Sequence, residues 1–190
     1  SMGAGAELKT LLEHGLAETE EGATPGRFPQ VGGISFGFDP ALAKGSRITD
    51  LWVDTDADNT PDTALYTAGV AQTAASTIFQ VVTLNFLANG GDDYPFDSLS
   101  AANRRQIYNS VGFGDPDVDD NDTPDFPVLT GCDAGLQSSF SYTGGEQDAL
   151  AEYFLANFPD ATSPFNIAET TSKDDRRIQD LSIISAFVSP

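Results

Sequence analysis

Hydrophobic positions along the chain fall first into a helical pattern. In Ala6–Leu16 the residues Leu8, Leu11, Leu12 and Leu16 recur at helical spacing and share one face. Gly15 and Gly22 are the candidate stop signals. A turn-rich stretch, Gly26-Arg27-Phe28-Pro29-Gln30-Val31-Gly32-Gly33, leads into Ile34–Asp39, where apolar and small residues alternate as in a half-buried strand. Arg47–Val53 predicts a second strand and Ala64–Val70 a third, with an acidic turn over Asp54–Thr63 between them. Ile78-Phe79-Gln80-Val81-Val82-Thr83-Leu84, β-branched and aromatic, predicts a fourth.

Beyond Asn89-Gly90-Gly91-Asp92 the pattern changes. Asn103–Ser110 predicts a helix. Residues 114–127 carry Asp115, Asp117, Asp119, Asp120, Asp122 and Asp125 and read as a solvated acidic loop or an ion site. Glu146–Leu155 predicts an amphipathic helix with Leu150, Tyr153 and Phe154 on one side. Arg176–Ile184 predicts a short strand or packed tail. Ser1-Met2 reads as an expression scar, and with no repeat or low-complexity linker, residues 3–190 read as one domain. The expected class is α+β, with a mixed, largely antiparallel sheet and packed helices.

Composition narrows the function. The 190 residues hold 29 Asp and Glu against 9 Lys and Arg, a net charge of −20. Such a surface repels phosphate backbones and anionic lipid, which argues against nucleic-acid binding and a polybasic membrane anchor. No apolar run is long enough to span a bilayer. Cys132 is the sole cysteine and His14 the sole histidine, so an internal disulfide, a cysteine zinc cluster and a His-rich metal centre are excluded within these residues. The acidity itself fits a protein kept soluble in salty or extracellular media, or Asp clusters that bind divalent cations.

Asp54, Asp56, Asp58 and Asp62 present oxygens at intervals that can converge on Ca²⁺, as at the start of an EF-hand loop. The twelfth position is Leu65 rather than Glu, and the sixth is Asn59 rather than Gly. A plain hairpin tip made of turn residues explains the same stretch. Phe86 can cover a base or be core at a strand end. Asp92 can accept from the two hydroxyls of a cis-diol or stabilise its own turn. Gly90 and Gly91 supply a tight turn.

Three stretches stand in order: Gly5-Ala6-Glu7-Leu8-Lys9, Gly26–Ile34, and Asn85-Phe86-Leu87-Ala88-Asn89-Gly90-Gly91-Asp92. Together they resemble the C-terminal, substrate-recognition domain of the 5′-nucleotidase family, over roughly the first half of the chain. The helix at Gly145–Leu150 and the tail Arg176-Arg177-Ile178 look like that domain's usual ending. The resemblance implies a secreted, periplasmic or surface-anchored phosphohydrolase. Its separate N-terminal metallophosphoesterase domain would carry two divalent metals and a catalytic His-Asp pair. In such a protein this chain would lack those metals. It would hold a nucleotide or nucleoside through a base stacked on Phe86 and a ribose bound by Asp92, within the Asn89-Gly90-Gly91 turn. The residue after Asp92 is usually glycine in the family and is Asp93 here. The resemblance further implies that part of the domain precedes Gly5. A chain cut there would expose an edge or apolar surface and self-associate. The alternative is a calcium-stabilised structural or binding module that kept the fold and lost nucleotide recognition.

Overall fold

The structure, a computed structural model, describes residues 4–20, 23, 25–99, 146–166, 168 and 170–190. The readings at Ser1-Met2, Gly22, 103–110, 114–127, Cys132 and Gly144-Gly145 lie outside them. Two compact units are present, one formed by residues 1–100 and 169–190 and the other by 101–168.

The first unit opens with α1, Ala4–Gly15. The expected leucine face is its buried face: Leu8, Leu11, Leu12 and Leu16 are all 7% exposed or less. Leu8, Leu12 and Leu16 pack into one core with Phe36, Phe38, Ile48, Leu51, Val53, Leu65 and Ala75. Burial of each large apolar side chain contributes about 1.5–3 kcal/mol.

These partners come mainly from a five-stranded sheet: β1 (Ile34–Phe38), β2 (Ile48–Val53), β3 (Thr63–Thr67), β4 (Val70–Ala71) and β5 (Ile178–Asp180). The spatial order is β4-β3-β2-β1-β5. Every pairing is antiparallel except β1 with β5, which is parallel. The class is therefore the mixed, largely antiparallel one expected from the sequence. A single-turn helix, α2 (Asn85–Ala88), lies between β4 and β5 in the chain.

Two strand expectations are corrected. The third strand does not run straight through residue 70. It stops at Thr67, and the chain reverses at Ala68 and Gly69, which have φ of 49° and 79°. Thr67 pairs with Val70 across this two-residue reversal, and left-handed backbone at both loop positions matches the twist of a hairpin. The second correction is larger. Residues 78–84 form no strand. Ile78 and Val82 are 85% and 78% exposed, and only Phe79 leans onto the core. High β-propensity describes side chains that suit a pleated sheet; a strand also requires a partner to bond to. No backbone hydrogen bond joins 78–83 to another segment among the described residues.

A reciprocal polar clamp fixes α1 to the start of β2. The buried Glu13 carboxylate accepts the backbone N–H of Arg47 at 3.0 Å through Oε2 and that of Ile48 at 2.8 Å through Oε1. Lys9 donates to Oε1 at 2.6 Å. In return the buried Arg47 guanidinium donates to the Leu16 carbonyl at 2.5 Å and to Thr19 Oγ1 at 3.0 Å. The α1 carboxylate thus satisfies two successive donors at the entry to β2, and the Arg47 guanidinium just before β2 satisfies a carbonyl just past the helix end.

The second unit contains α3, Glu146–Asn157, whose existence matches the sequence reading. Phe154, Phe158 and Phe165 form a triangle of rings with centroids 5.2–6.0 Å apart. Leu150 and Tyr153 remain about half exposed, at 54% and 50%. No helix among the described residues is long and apolar enough to cross a membrane.

Glu13→Ala leaves two buried backbone donors without an acceptor, and each such group costs about 1–3 kcal/mol. The expected loss is about 2–4 kcal/mol in urea unfolding, and Glu13→Gln, which keeps an acceptor oxygen, loses less.

Candidate functional site

The Asn85-Phe86-Leu87-Ala88 stretch makes up α2. Hydrogen bonds from Ala88 N to the Leu84 carbonyl and from Gly90 N to the Leu87 carbonyl, both 2.9 Å, shape it. Gly90 then takes φ of 83°, a left-handed conformation that costs glycine little. Residues Gly91–Asp93 continue as a 3₁₀ turn.

Gly91 serves a different purpose. A β-carbon there would lie 2.6 Å from the Cδ1, Cε1 and Cζ atoms of Phe86. The ring rests on a position that only glycine leaves open. Phe86 is nonetheless 60% exposed, so it is not core. Its ring is supported on one side by Gly91 while much of its surface stays in solvent.

Asp92 and Asp93 are both exposed and both left-handed, with φ of 53° and 58°. Aspartate tolerates this region better than most residues, at a cost. Asp93, where the resemblance implies glycine, occupies a conformation that glycine suits. The two aspartates border a hollow of roughly 330 Å³ together with Glu18, Gly26 and Arg27. Phe86 is not part of that lining. Asn89 is exposed beside the turn.

The turn is held from α1. His14 Nε2 lies 2.8 Å from the Asp92 carbonyl oxygen. The acceptor is a carbonyl, so Nε2 carries the proton. The imidazole also meets the Tyr94 ring edge-on, with centroids 4.8 Å apart. Tyr94 is buried, and its hydroxyl donates to the Arg27 carbonyl at 2.8 Å. Arg27 in turn pairs with Glu18 at 2.8 Å. Gly15 makes this packing possible: a β-carbon there would meet Tyr94 Oη at 2.6 Å and Pro29 Cδ at 2.8 Å. Burial raises the pKa of the Tyr94 phenol, the Asp92 carboxylate raises it further, and the Arg27 guanidinium opposes both.

Through these contacts Arg27 ties the turn that precedes β1 to Tyr94 and Glu18. His14 and Tyr94 are the residues that sequence reasoning missed. His14 has no catalytic partner in the sequence, and its hydrogen bond spans 78 residues. The only available signal was the position of His14 in the last turn of a helix leading into Gly15.

At the β2–β3 loop, carboxylate oxygens of Asp54, Asp56 and Asp58 lie within 4.8 Å of one another. Asp54 accepts from the backbone N–H of Asp56, Ala57 and Asn59 at 3.1, 2.7 and 2.8 Å. Ala57 and Asn59 are left-handed, at φ of 64° and 70°, which curls the loop around the Asp54 carboxylate. Asp62 does not join the group. It accepts from the Thr55 hydroxyl at 2.9 Å, and the Thr63 and Thr55 hydroxyls hold its carboxyl below the usual range.

Residues 4–98 match the family described as 5′-nucleotidase, C-terminal domain. The chain belongs to that family. It is similar to the trifunctional nucleotide phosphoesterase protein YfkN of Bacillus subtilis (strain 168), with 33% identity over 95 residues. That match takes in 47% of this chain and 5% of the relative. Among solved structures it is similar to a 5′-nucleotidase precursor from Thermus thermophilus, at 32% identity and a TM-score of 0.37. There the match covers 51% of this chain and 17% of that one. The chain therefore spans a small part of the length of both proteins.

The Tyr94 phenol keeps its proton longer in the folded than in the unfolded chain. Its contribution to stability is thus complete below a pH of about 10 and is lost as pH rises through the higher folded value. The difference in phenolate absorbance between wild type and Tyr94→Phe is expected to titrate above the pH of a free tyrosine. Loss of the hydroxyl's hydrogen bond to Arg27 is expected to cost about 1 kcal/mol.

Proposed function

We propose that this chain is the nucleoside-recognition part of a 5′-nucleotidase-type phosphoester hydrolase. The observation that carries the reading is the exposed Phe86 ring seated on Gly91, six residues before an exposed Asp92 at the rim of a polar hollow. An aromatic face supports a base by stacking, worth about 1–3 kcal/mol per base in nucleic-acid complexes. Asp92 accepts from sugar hydroxyls, and Asn89, Gly90 and Gly91 shape the turn that presents it. Bond cleavage belongs, in this reading, to a separate N-terminal metallophosphoesterase domain of the parent protein. Its two divalent metals would activate water and stabilise the leaving oxygen. The family resemblance supports a secreted, periplasmic or cell-surface location for that parent.

A second reading is favoured by one observation, the convergence of Asp54, Asp56 and Asp58. A carboxylate offers about four acceptor sites, so the backbone bonds to Asp54 leave capacity for a cation. On this reading Ca²⁺ stiffens the β2–β3 loop and the chain is a calcium-stabilised module.

One set of thermal melts separates the two. Nucleoside recognition predicts a rise in Tm with adenosine or AMP that Phe86→Ala and Asp92→Asn each remove. Calcium binding predicts a rise with Ca²⁺, reversed by EDTA and removed by Asp56→Asn. Either ligand at a hundred times its Kd adds about 2.7 kcal/mol. Absence of any shift with adenosine and AMP defeats the first reading. The chain alone is expected to release no phosphate from AMP with any divalent metal, and turnover above a protein-free control contradicts the assignment of catalysis to another domain.

We also propose that the 78–84 segment brings copies of the chain together. Thr63–Gly91 contains no charged residue, so two copies of a −20 chain meet there without opposing like charges. The apparent mass from light scattering is expected to rise with concentration and to stay nearer the monomer value in Val82→Lys. A monomer at all concentrations refutes it.

A further inference from the structure

We infer that His14 is a positioning residue that holds the Asp92 turn in the shape that presents the Asp92 carboxylate. This rests on the nucleoside-recognition reading for its ligand, though not for its geometry. Two consecutive non-glycine residues in the left-handed region are strained, at about 1–3 kcal/mol each when unsupported. The strain falls on Asp92 and Asp93, the residues bordering the hollow. Within the turn, Asp93 N donates to the Gly90 carbonyl at 3.1 Å and Tyr94 N to the Gly91 carbonyl at 3.2 Å, both long. The carbonyl between the two strained residues instead receives the His14 Nε2 proton at 2.8 Å.

The donor is itself well fixed. His14 sits one residue after Glu13, which is bound to β2, and one residue before Gly15, which is packed on Tyr94, Pro29 and Arg27. The Tyr94 ring against the imidazole limits its rotation. A rigid helix end thereby sets the position of one peptide in an otherwise local turn. The hydrogen bond and the ring packing are separable: phenylalanine keeps a ring against Tyr94 without a donor. Glutamine places an N–H near the position of Nε2, whereas asparagine mimics Nδ1 and falls short.

The experiment measures amide hydrogen exchange and adenosine binding in His14→Phe, His14→Asn and His14→Gln. Exchange at the Asp93 and Tyr94 amides is expected to rise about fivefold or more in His14→Phe and His14→Asn, the effect of losing one hydrogen bond. It should stay near wild type in His14→Gln, and the Phe36 and Leu51 amides should be unaffected in all three. Adenosine affinity is expected to fall in parallel and to be rescued by glutamine. Unchanged exchange in His14→Asn, or an equal rise in His14→Gln, overturns the inference. If His14→Phe does not fold, the Gln and Asn pair decides. If wild type binds no adenosine, the nucleoside reading fails while the exchange measurements still decide the role of His14.

Discussion

The structure of the first unit depends on the orientation of one short helix against one strand. Leucine burial supplies most of the attraction between α1 and the sheet, but burial is non-directional. A leucine stripe can slide along an apolar surface with little change in buried area. The polar clamp cannot. Glu13 meets two successive backbone donors at the entry to β2, and Arg47 reaches back to the carbonyl of Leu16. Buried charged groups are costly unless each is bonded, which makes any displaced register unfavourable. Direction is thus imposed at the C-terminal end of α1, where the neighbouring residues hold the candidate site.

The site inherits its geometry from this arrangement. Gly15, His14 and Tyr94 meet where the helix ends, and the Asp92 turn is fastened there. The two glycines of the motif have different tasks. Gly90 permits a backbone conformation, whereas Gly91 leaves room for an aromatic ring. Phe86 is therefore placed both by its own short helix and by the glycine its ring touches.

Much of this was legible in the sequence because it is periodic or local. The leucine spacing of α1 and the alternation at 34–39 and 47–53 record which face is buried. The acidic Asp54–Asp62 loop and the Asn89–Asp92 turn are made of residues that choose their own backbone. What was not legible depends on partners remote in the chain. Residues 78–84 have every side-chain attribute of a strand and no strand beside them among the described residues. The hairpin at Ala68-Gly69 was hidden by an apolar run continuing through it. The contact of His14 with Asp92 is invisible to any local window, as is the burial of Arg47 by groups from α1 and the loop after it.

The β1–β5 pairing has a consequence for how the chain is assembled. Ser35 donates to the carbonyl of Arg176, a residue 141 positions away, and Phe36 pairs with Ile178. The buried Gln179 side chain then ties the final residues down through both the N–H and the carbonyl of Val188. The first unit is thus completed by a segment synthesised after the whole of residues 101–168. Loop-closure entropy grows only logarithmically, about 0.6 kcal/mol for each doubling of length. The sheet can accommodate an intervening unit of widely varying size at almost no thermodynamic penalty, while the late arrival of its last strand delays completion of the sheet.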